Sequence, residues 1–589
     1  MEEILALYQD LRSLFAENDL VKKYARWVHC MVQKEIDRIP SESRIAIRPA
    51  GRDTQKLLEL YDFSKKKVIG IVDQKIYEDG FCGYPCFTTD SFSTKTCDCV
   101  IICSFNYRQE IKEELEKLHI PYVDIYDELY NRGIRSPFLH HNNGTSIQLV
   151  VSDFYLRYLR TEAGAQREIA LRELLQIAVE YKDFALISNI YHDCGGEYGE
   201  FPLLKDVWKK SEKLLNCIQN KLQERKQKDI ILFWTDSVPY TMLHYLPRIM
   251  ELSKQGAFFQ RAYPNTPYTN PTMRAMFCKM LPIDDFPQDQ EKIDSKNSPL
   301  IQFLENEGYK FRVIGEPTYA MGKEHLLAVS IEKSCNIRWW EGIMDLLQSP
   351  EPCFYIFHFM ESHPPCYVPG VSEAIISRVL TQTQLEVSIK EVYGYLEKCL
   401  LLYHKLLGNK TQIFFSDHGY EVIHGTRWGE LRLHTYCFVV GTSIPKITIT
   451  RFFPYRNFEK LVWWLVDPTN FSLDDVCTDE VIFQDVDLYD LSLIDLYIQN
   501  KIEKFGIAYR GVFNYDYKYV INALGEDFFY QRQPDGTEKL VPLEDSALRA
   551  ELRDKAGTKF LDIYQYDKVC CTRKLYGSIH RKKSSGNAT

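Results

Sequence analysis

The apolar run from Thr411 to Phe415 stops abruptly at Ser416, Asp417, His418 and Gly419. A run of this kind, bounded by polar residues and glycine, predicts a buried strand of a parallel sheet. Open α/β sheets bind ligands beyond the carboxyl ends of their strands. Asp417 and His418 therefore stand where chemistry is expected. An adjacent carboxylate and imidazole form a mixed oxygen and nitrogen donor set that suits Zn²⁺ or Mn²⁺. The competing reading is a strand-to-loop turn with a polar tip.

Two further strand ends carry similar residues. Asp229 to Thr235 is a largely apolar run that ends at Asp236 and Ser237. Cys353 to Phe357 runs into His358, with His363 five residues on. Three strands thus deliver Asp236, His358, His363, Asp417 and His418 to what should be one edge of one sheet.

A nucleophile candidate lies between them. Pro271 suits the first position of a helix. Met273, Met276, Phe277 and Met280 follow at helical spacing and predict a buried stripe, read as core. Thr269 then lies at the helix mouth, where free N–H groups and the positive dipole end favour a phosphate or an alkoxide. A threonine hydroxyl is a poor nucleophile by itself, and contact with a divalent metal would ionise it. The alternative is that Thr269 serves only as a helix cap.

The ordered set now resembles a known family. It consists of an apolar strand ending at Asp236, Thr-x-Pro before a helix, His358-Phe-Met-Glu-Ser-His363-Pro-Pro, and Ser416-Asp-His-Gly419. It is similar to the alkaline phosphatase/sulfatase superfamily, with the nearest likeness to the phosphoethanolamine and phosphoglycerol transferases. The resemblance spans roughly residues 228 to 445, with a weaker echo around Tyr509 to Lys518 in a small C-terminal sheet. It implies an α/β fold whose central, mostly parallel sheet is sandwiched by helices. It also implies a divalent metal, Zn or Mn, held by Asp236, Thr269, Asp417 and His418; His424 and His434 either complete the site or are surface histidines. His358 and His363 would hold the phosphoryl group or act as acid and base, since imidazoles titrate near neutrality. The sulfatase nucleophile motif has Cys or Ser where Thr269 stands, so formylglycine chemistry is not expected. Transferase-type spacing points to Thr266 as nucleophile, and the Thr-x-Pro spacing of nucleotide pyrophosphatase-like members points to Thr269, which is favoured because a helix start at Pro271 places it nearest the dipole.

Composition sets the surroundings. The chain has 589 residues, 45% hydrophobic and 26% charged, with a formal net charge of −9. That charge argues against a general nucleic-acid binder. Seventeen cysteines lack the spacing of a disulfide framework, which suits a reducing cytosol. Cys97, Cys99, Cys570 and Cys571 read as packing residues. Met1 to Asp10 has neither a basic nor an apolar leader region, so no signal peptide is expected. No apolar run is long enough for a transmembrane helix. The expected location is cytoplasmic or peripheral to the inner membrane.

Five regions are expected. Residues 1–150 alternate strand and helix and resemble a Rossmann-like module, with Asp73 where a ribose-binding acid would sit. The glycine fingerprint there is reduced to Gly51, so a docking role is favoured over nucleotide binding. Residues 151–227 read as a helical linker, 228–450 as the catalytic core, and 451–575 as its C-terminal part. Residues 576–589 read as a basic, disordered tail.

The function these readings imply is metal-dependent phospho-transfer. A phosphodiester donor, with a phospholipid at the inner membrane face as one source, would pass a phosphoethanolamine- or phosphoglycerol-type group to Thr269. A sugar hydroxyl of a surface glycan precursor would then accept it. The rivals are a phosphodiesterase or phosphonate-ester hydrolase with the same site, and a non-catalytic scaffold. The scaffold is disfavoured, because burying unpaired carboxylates is costly without a ligand.

Overall fold

The computed structural model describes residues 1–15, 20–74, 79–91, 97–104, 107–131, 145–193, 201–285, 292–315, 320–327, 335–363, 368–369, 382–419, 428–486, 508–533, 537–542 and 547–560. The chain divides into two compact units. One comprises residues 1–225, 328–347 and 361–408. The other comprises residues 226–327, 348–360 and 409–589.

The first unit contains a five-stranded sheet. Its strands are β1 (Arg44–Arg48), β2 (Lys67–Asp73), β3 (Cys86–Thr88), β4 (Cys99–Ile102) and β5 (Tyr122–Asp124), in the order β3-β2-β1-β4-β5. Every pairing is parallel. Ala46, Val72, Val100 and Ile102 pack with Ile111 and Leu115 of the Arg108–Lys117 helix. Gly51 caps the Arg52–Leu60 helix, and the Ala50 amide donates to Asp73 Oδ2 at 2.8 Å. Cys97 and Cys99 are buried, as packing residues would be, and Cys570 and Cys571 lie outside the described residues.

The same unit holds the helices Ala165–Glu180, Phe184–Asp193, Pro202–Glu224 and Gln382–Leu407. The Gln382–Leu407 helix packs on Pro202–Glu224 and Phe184–Asp193. Tyr395 on that helix donates to buried Asp183 at 2.7 Å. Residues 361–408 therefore pack with the first unit, although the sequence boundaries put them inside the catalytic core. The apolar face of this long helix matches other helices rather than the sheet.

The second unit is built on an eight-stranded sheet. Its strands are β6 (Ile230–Thr235), β7 (Ala257–Tyr263), β8 (Lys310–Ile314), β9 (Leu326–Leu327), β10 (Cys353–Phe359), β11 (Thr411–Ser416), β12 (Thr435–Val440) and β13 (Ile447–Pro454). The order is β13-β7-β12-β11-β6-β10-β8-β9. Only β12 runs against its neighbours. β6 and β10 are buried along their whole length, which explains their lack of hydrophobic alternation. The architecture is α/β with a mostly parallel central sheet.

The register at the centre of this sheet decides where the site forms. Thr235 pairs with Ser416 on one side and with Phe359 on the other. The next residues, Asp236 and Asp417, therefore emerge side by side. Trp234 pairs with His358, so His358 lies within β10 rather than after its end, the strand running to Phe359, two residues past the expected end at Phe357. At the opposite edge, buried Asp229 accepts the Cys353 amide at 3.0 Å and pairs with buried Lys410 at 2.9 Å.

A third sheet closes the second unit. It comprises β14 (Val481–Val486), β15 (Ala508–Phe513), β16 (Tyr517–Asn522), β17 (Asp527–Arg532) and β18 (Glu538–Leu540), antiparallel throughout. The Ala547–Ala556 helix covers one face. Among the described residues no helix is long and apolar enough to cross a membrane.

Candidate active site

Asp236 leaves the end of β6 and Asp417 with His418 leaves the end of β11. Both turns are tightly tied. Ser237 adopts φ 62°, a left-handed conformation that is uncommon for serine and strained. From there its amide donates to Asp417 Oδ1 at 3.1 Å, and its hydroxyl donates to Asp236 Oδ1 at 2.7 Å. Ser416 Oγ accepts the Val238 amide at 2.8 Å and donates to the His418 carbonyl at 3.0 Å. The sequence reading passed over both serines. The only signal was their position next to the two aspartates.

His418 is oriented by its own chain. Its Nδ1 meets the Gly419 carbonyl at 2.8 Å. A carbonyl can only accept, so Nδ1 carries the proton and Nε2 presents a lone pair. Nε2 lies 3.5 Å from Asp417 Oδ2 and 3.9 Å from Asp236 Oδ1.

The donor set fits a metal. One ligand atom from each of Asp236, Asp417 and His418 falls within 4.8 Å of the others, and all three residues are buried. Ligands about 2.0–2.2 Å from a shared tetrahedral zinc lie roughly 3.3–3.6 Å apart, near the 3.5 and 3.9 Å that separate His418 Nε2 from the two carboxylates. Asp417 Oδ2 is buried with no hydrogen-bond partner. Burial, and then the charge of Asp236, raise the Asp417 carboxyl above the ordinary range. A cation would satisfy the orphaned oxygen and offset both penalties.

Thr269 joins this group. Its hydroxyl lies 3.1 Å from His418 Nε2 and 3.4 Å from Asp236 Oδ2. The helix runs Thr269–Cys278 with Tyr268 as N-cap. Thr269 is thus the first helical residue, and Pro271, the expected start, sits two positions inside the observed one. Proline is tolerated there because first-turn amides have no helical partner. Met273, Met276 and Phe277 are buried core, and Met280 is half-buried. The Thr266 hydroxyl bonds to Thr272 Oγ1 at 3.1 Å and to the Tyr268 carbonyl at 3.3 Å. This geometry therefore brings Thr269, not Thr266, into the cluster.

His358 approaches from the other side of β6. Its Nε2 is 3.1 Å from Asp236 Oδ2, and its ring packs on Trp234 with centroids 4.0 Å apart. His358 Nδ1 is buried with no hydrogen-bond partner. Gly315 makes room for it: a Cβ at Gly315, where φ is 147°, would stand 2.6 Å from His358 Cβ.

The remaining candidates fall elsewhere. His434 meets the Gln260 carbonyl through Nε2 at 3.0 Å and Glu430 through Nδ1 at 3.2 Å. Both ring nitrogens are engaged, so His434 is a buttress in this structure and not a ligand. His363 is half-buried in a turn assigned to the first unit. His424 lies outside the described residues.

In sequence the chain matches no known family and no curated protein. Solved structures of the alkaline phosphatase superfamily are similar to it. A protein of that superfamily from Vibrio parahaemolyticus is 13% identical, over 57% of this chain and 92% of its own, with a TM-score of 0.40. A phosphonate monoester hydrolase of Agrobacterium radiobacter is 14% identical, over 56% and 94%, with a TM-score of 0.43. Another from Silicibacter pomeroyi is 11% identical, over 55% and 93%, with a TM-score of 0.43.

Proposed function

We propose that this chain is a divalent-metal-dependent enzyme that transfers a phospho group through Thr269. The observation that carries this reading is the position of Thr269 Oγ1, 3.1 Å from His418 Nε2 and 3.4 Å from Asp236 Oδ2. A hydroxyl buried in a carboxylate–imidazole cluster at a helix N-terminus is suited to become a nucleophile. Asp236, Asp417, His418 and Thr269 would hold the ion. When bound, a zinc or manganese ion lowers the pKa of a ligating hydroxyl and neutralises charge on a phosphoryl group.

The chain's own residues supply the rest. Thr269 Oγ1 forms the new O–P bond as the donor's P–O bond breaks, and the departing alcohol takes up a proton. The Thr269 and Asn270 amides, at the start of the Thr269–Cys278 helix, offer donors to phosphoryl oxygens. His358 can exchange a proton or hold an oxygen through Nδ1. An acceptor hydroxyl then attacks phosphorus and returns Thr269 to its starting state. In this reading the donor is a phosphodiester of the phosphoethanolamine or phosphoglycerol type, and the acceptor is a sugar hydroxyl of a glycan precursor.

The test is intact-mass spectrometry of zinc- or manganese-loaded protein quenched after mixing with a phosphodiester donor. One phospho-adduct, mapped to the peptide holding Thr269, is expected. An adduct on Thr266 would transfer the role to that residue. Turnover with no adduct would replace the covalent route by attack of water.

A further inference from the structure

Three segments carry the candidate site: the turn after β6, the stretch after β7, and the turn after β11. In the second unit one half-buried polar assembly holds all three. His434 is its hub. Its ring stacks on Tyr240 with centroids 4.2 Å apart and on Tyr263 at 4.7 Å, both nearly parallel. Tyr240 lies four residues beyond Asp236, and its amide donates to the His434 carbonyl at 2.8 Å. Tyr263 ends β7, six residues before Thr269.

The third segment joins through the short Glu430–Leu433 helix. The Gly419 amide donates to the Arg432 carbonyl at 2.8 Å, and the Gly419 carbonyl accepts His418 Nδ1 at 2.8 Å. The approach is so close that a Cβ on Gly419 would stand 1.8 Å from the Leu431 carbonyl oxygen. Glu430 anchors this helix. It takes Arg532 Nη2 at 2.6 Å, the Tyr263 hydroxyl at 2.8 Å and His434 Nδ1 at 3.2 Å. Arg532 also donates to the Tyr263 hydroxyl at 2.9 Å.

We infer that Arg532 and Glu430 are positioning residues for the metal centre, acting through the Arg432–Gly419–His418 hydrogen-bond chain. Arg532 belongs to the small C-terminal sheet, 102 residues from Glu430 in sequence. Its role is to hold Glu430, so that the Gly419 carbonyl keeps its aim at Nδ1 and His418 keeps Nε2 turned to Asp236 and Asp417. That sheet is therefore part of the site's construction. The inference rests on the metal-site reading proposed above, and its tests separate the two.

The test uses the full chain and the variants Arg532→Met, Arg532→Lys and Glu430→Gln. Arg510→Met is the control, because Arg510 makes an ion pair with Asp284 at 2.7 Å in the same sheet without joining the assembly. The first readout is Zn²⁺ affinity by chelator competition. The second is the His418 tautomer in metal-free protein, read by ¹⁵N NMR of labelled histidine. Arg532→Met and Glu430→Gln are expected to weaken Zn²⁺ binding by about 10–100-fold, the usual cost of losing a partner that orients a ligand. They should also mix the His418 tautomers. Arg532→Lys should lose less, and Arg510→Met should leave affinity and tautomer unchanged even if it lowers Tm.

Wild-type affinity and tautomer in folded Arg532→Met or Glu430→Gln would overturn the inference, as would equal losses in Arg510→Met. Should Arg532→Met fail to fold, the near-isosteric Glu430→Gln decides by the same criteria. A tautomer shift in a protein that binds no Zn²⁺ would support the positioning role and remove the metal-site reading instead.

Discussion

The Thr269 hydroxyl and His418 Nε2 stand 3.1 Å apart, although they are 149 residues apart in sequence. The contact follows from two local facts. The Gly419 carbonyl holds the far side of the imidazole, and the Thr269–Cys278 helix starts at Thr269 itself. Thr269→Ala should stop turnover while Zn²⁺ stays bound, because Asp236, Asp417 and His418 remain. Removal of a catalytic nucleophile typically costs on the order of 10⁶ in rate. Thr266→Ala should cost far less, since Thr266 serves Thr272 and Tyr268. Rate assays with parallel metal analysis distinguish the two, and equal losses would remove the assignment to Thr269.

Asp417→Asn and His418→Ala should each abolish activity and metal retention, and a chelator should do the same to the wild type. Full activity in both variants would sink the metal centre.

Metal binding should weaken as pH falls. Burial and the neighbouring Asp236 raise the Asp417 carboxyl, so a proton competes with the cation at pH values where an ordinary aspartate is ionised. Isothermal titration across mildly acid pH should show that loss. The sign for stability is opposite in the metal-free protein. There the folded state binds the proton more tightly than the unfolded state, so this group's contribution falls as pH rises through the raised value. Removing the carboxylate with Asp417→Asn should therefore flatten the metal-free stability profile in that window. An unchanged profile would count against the raised value.

Gly315→Ala should displace His358. The new methyl would meet His358 Cβ at 2.6 Å, in a backbone conformation that already disfavours a side chain. The expected result is a lower Tm and a slower rate with metal affinity kept, measured by thermal unfolding and kinetics on one sample. Wild-type rate and Tm together would show that the strand shifts to make room.

Lys410→Met should destabilise the second unit. It takes the Lys410 ammonium away from Asp229, which stays buried beside the Cys353 amide. Breaking one side of a buried pair costs about 3–5 kcal/mol, and urea unfolding of the metal-free protein should show a loss of that order.

The sequence by itself determined the α/β class and brought out the ends of two central strands, though not that of β10. Fully buried parallel strands are continuous apolar runs, and these two give way visibly to polar residues, at Asp236 and at Ser416-Asp417. It also favoured Thr269 over Thr266, from an expected helix start at Pro271. What puts Thr269 beside His418 and Asp236, the observed helix start and the His418 ring orientation, depends on contacts across the sheet. Ser237 and Ser416 were unreadable as site residues, because a hydroxyl at a turn carries no pattern of its own. His434 looked like a spare ligand until Glu430 and Gln260 took its two nitrogens. Which helices joined which unit was likewise a tertiary matter. An amphipathic helix such as Gln382–Leu407 records that it has a buried face, and only packing decides what covers that face.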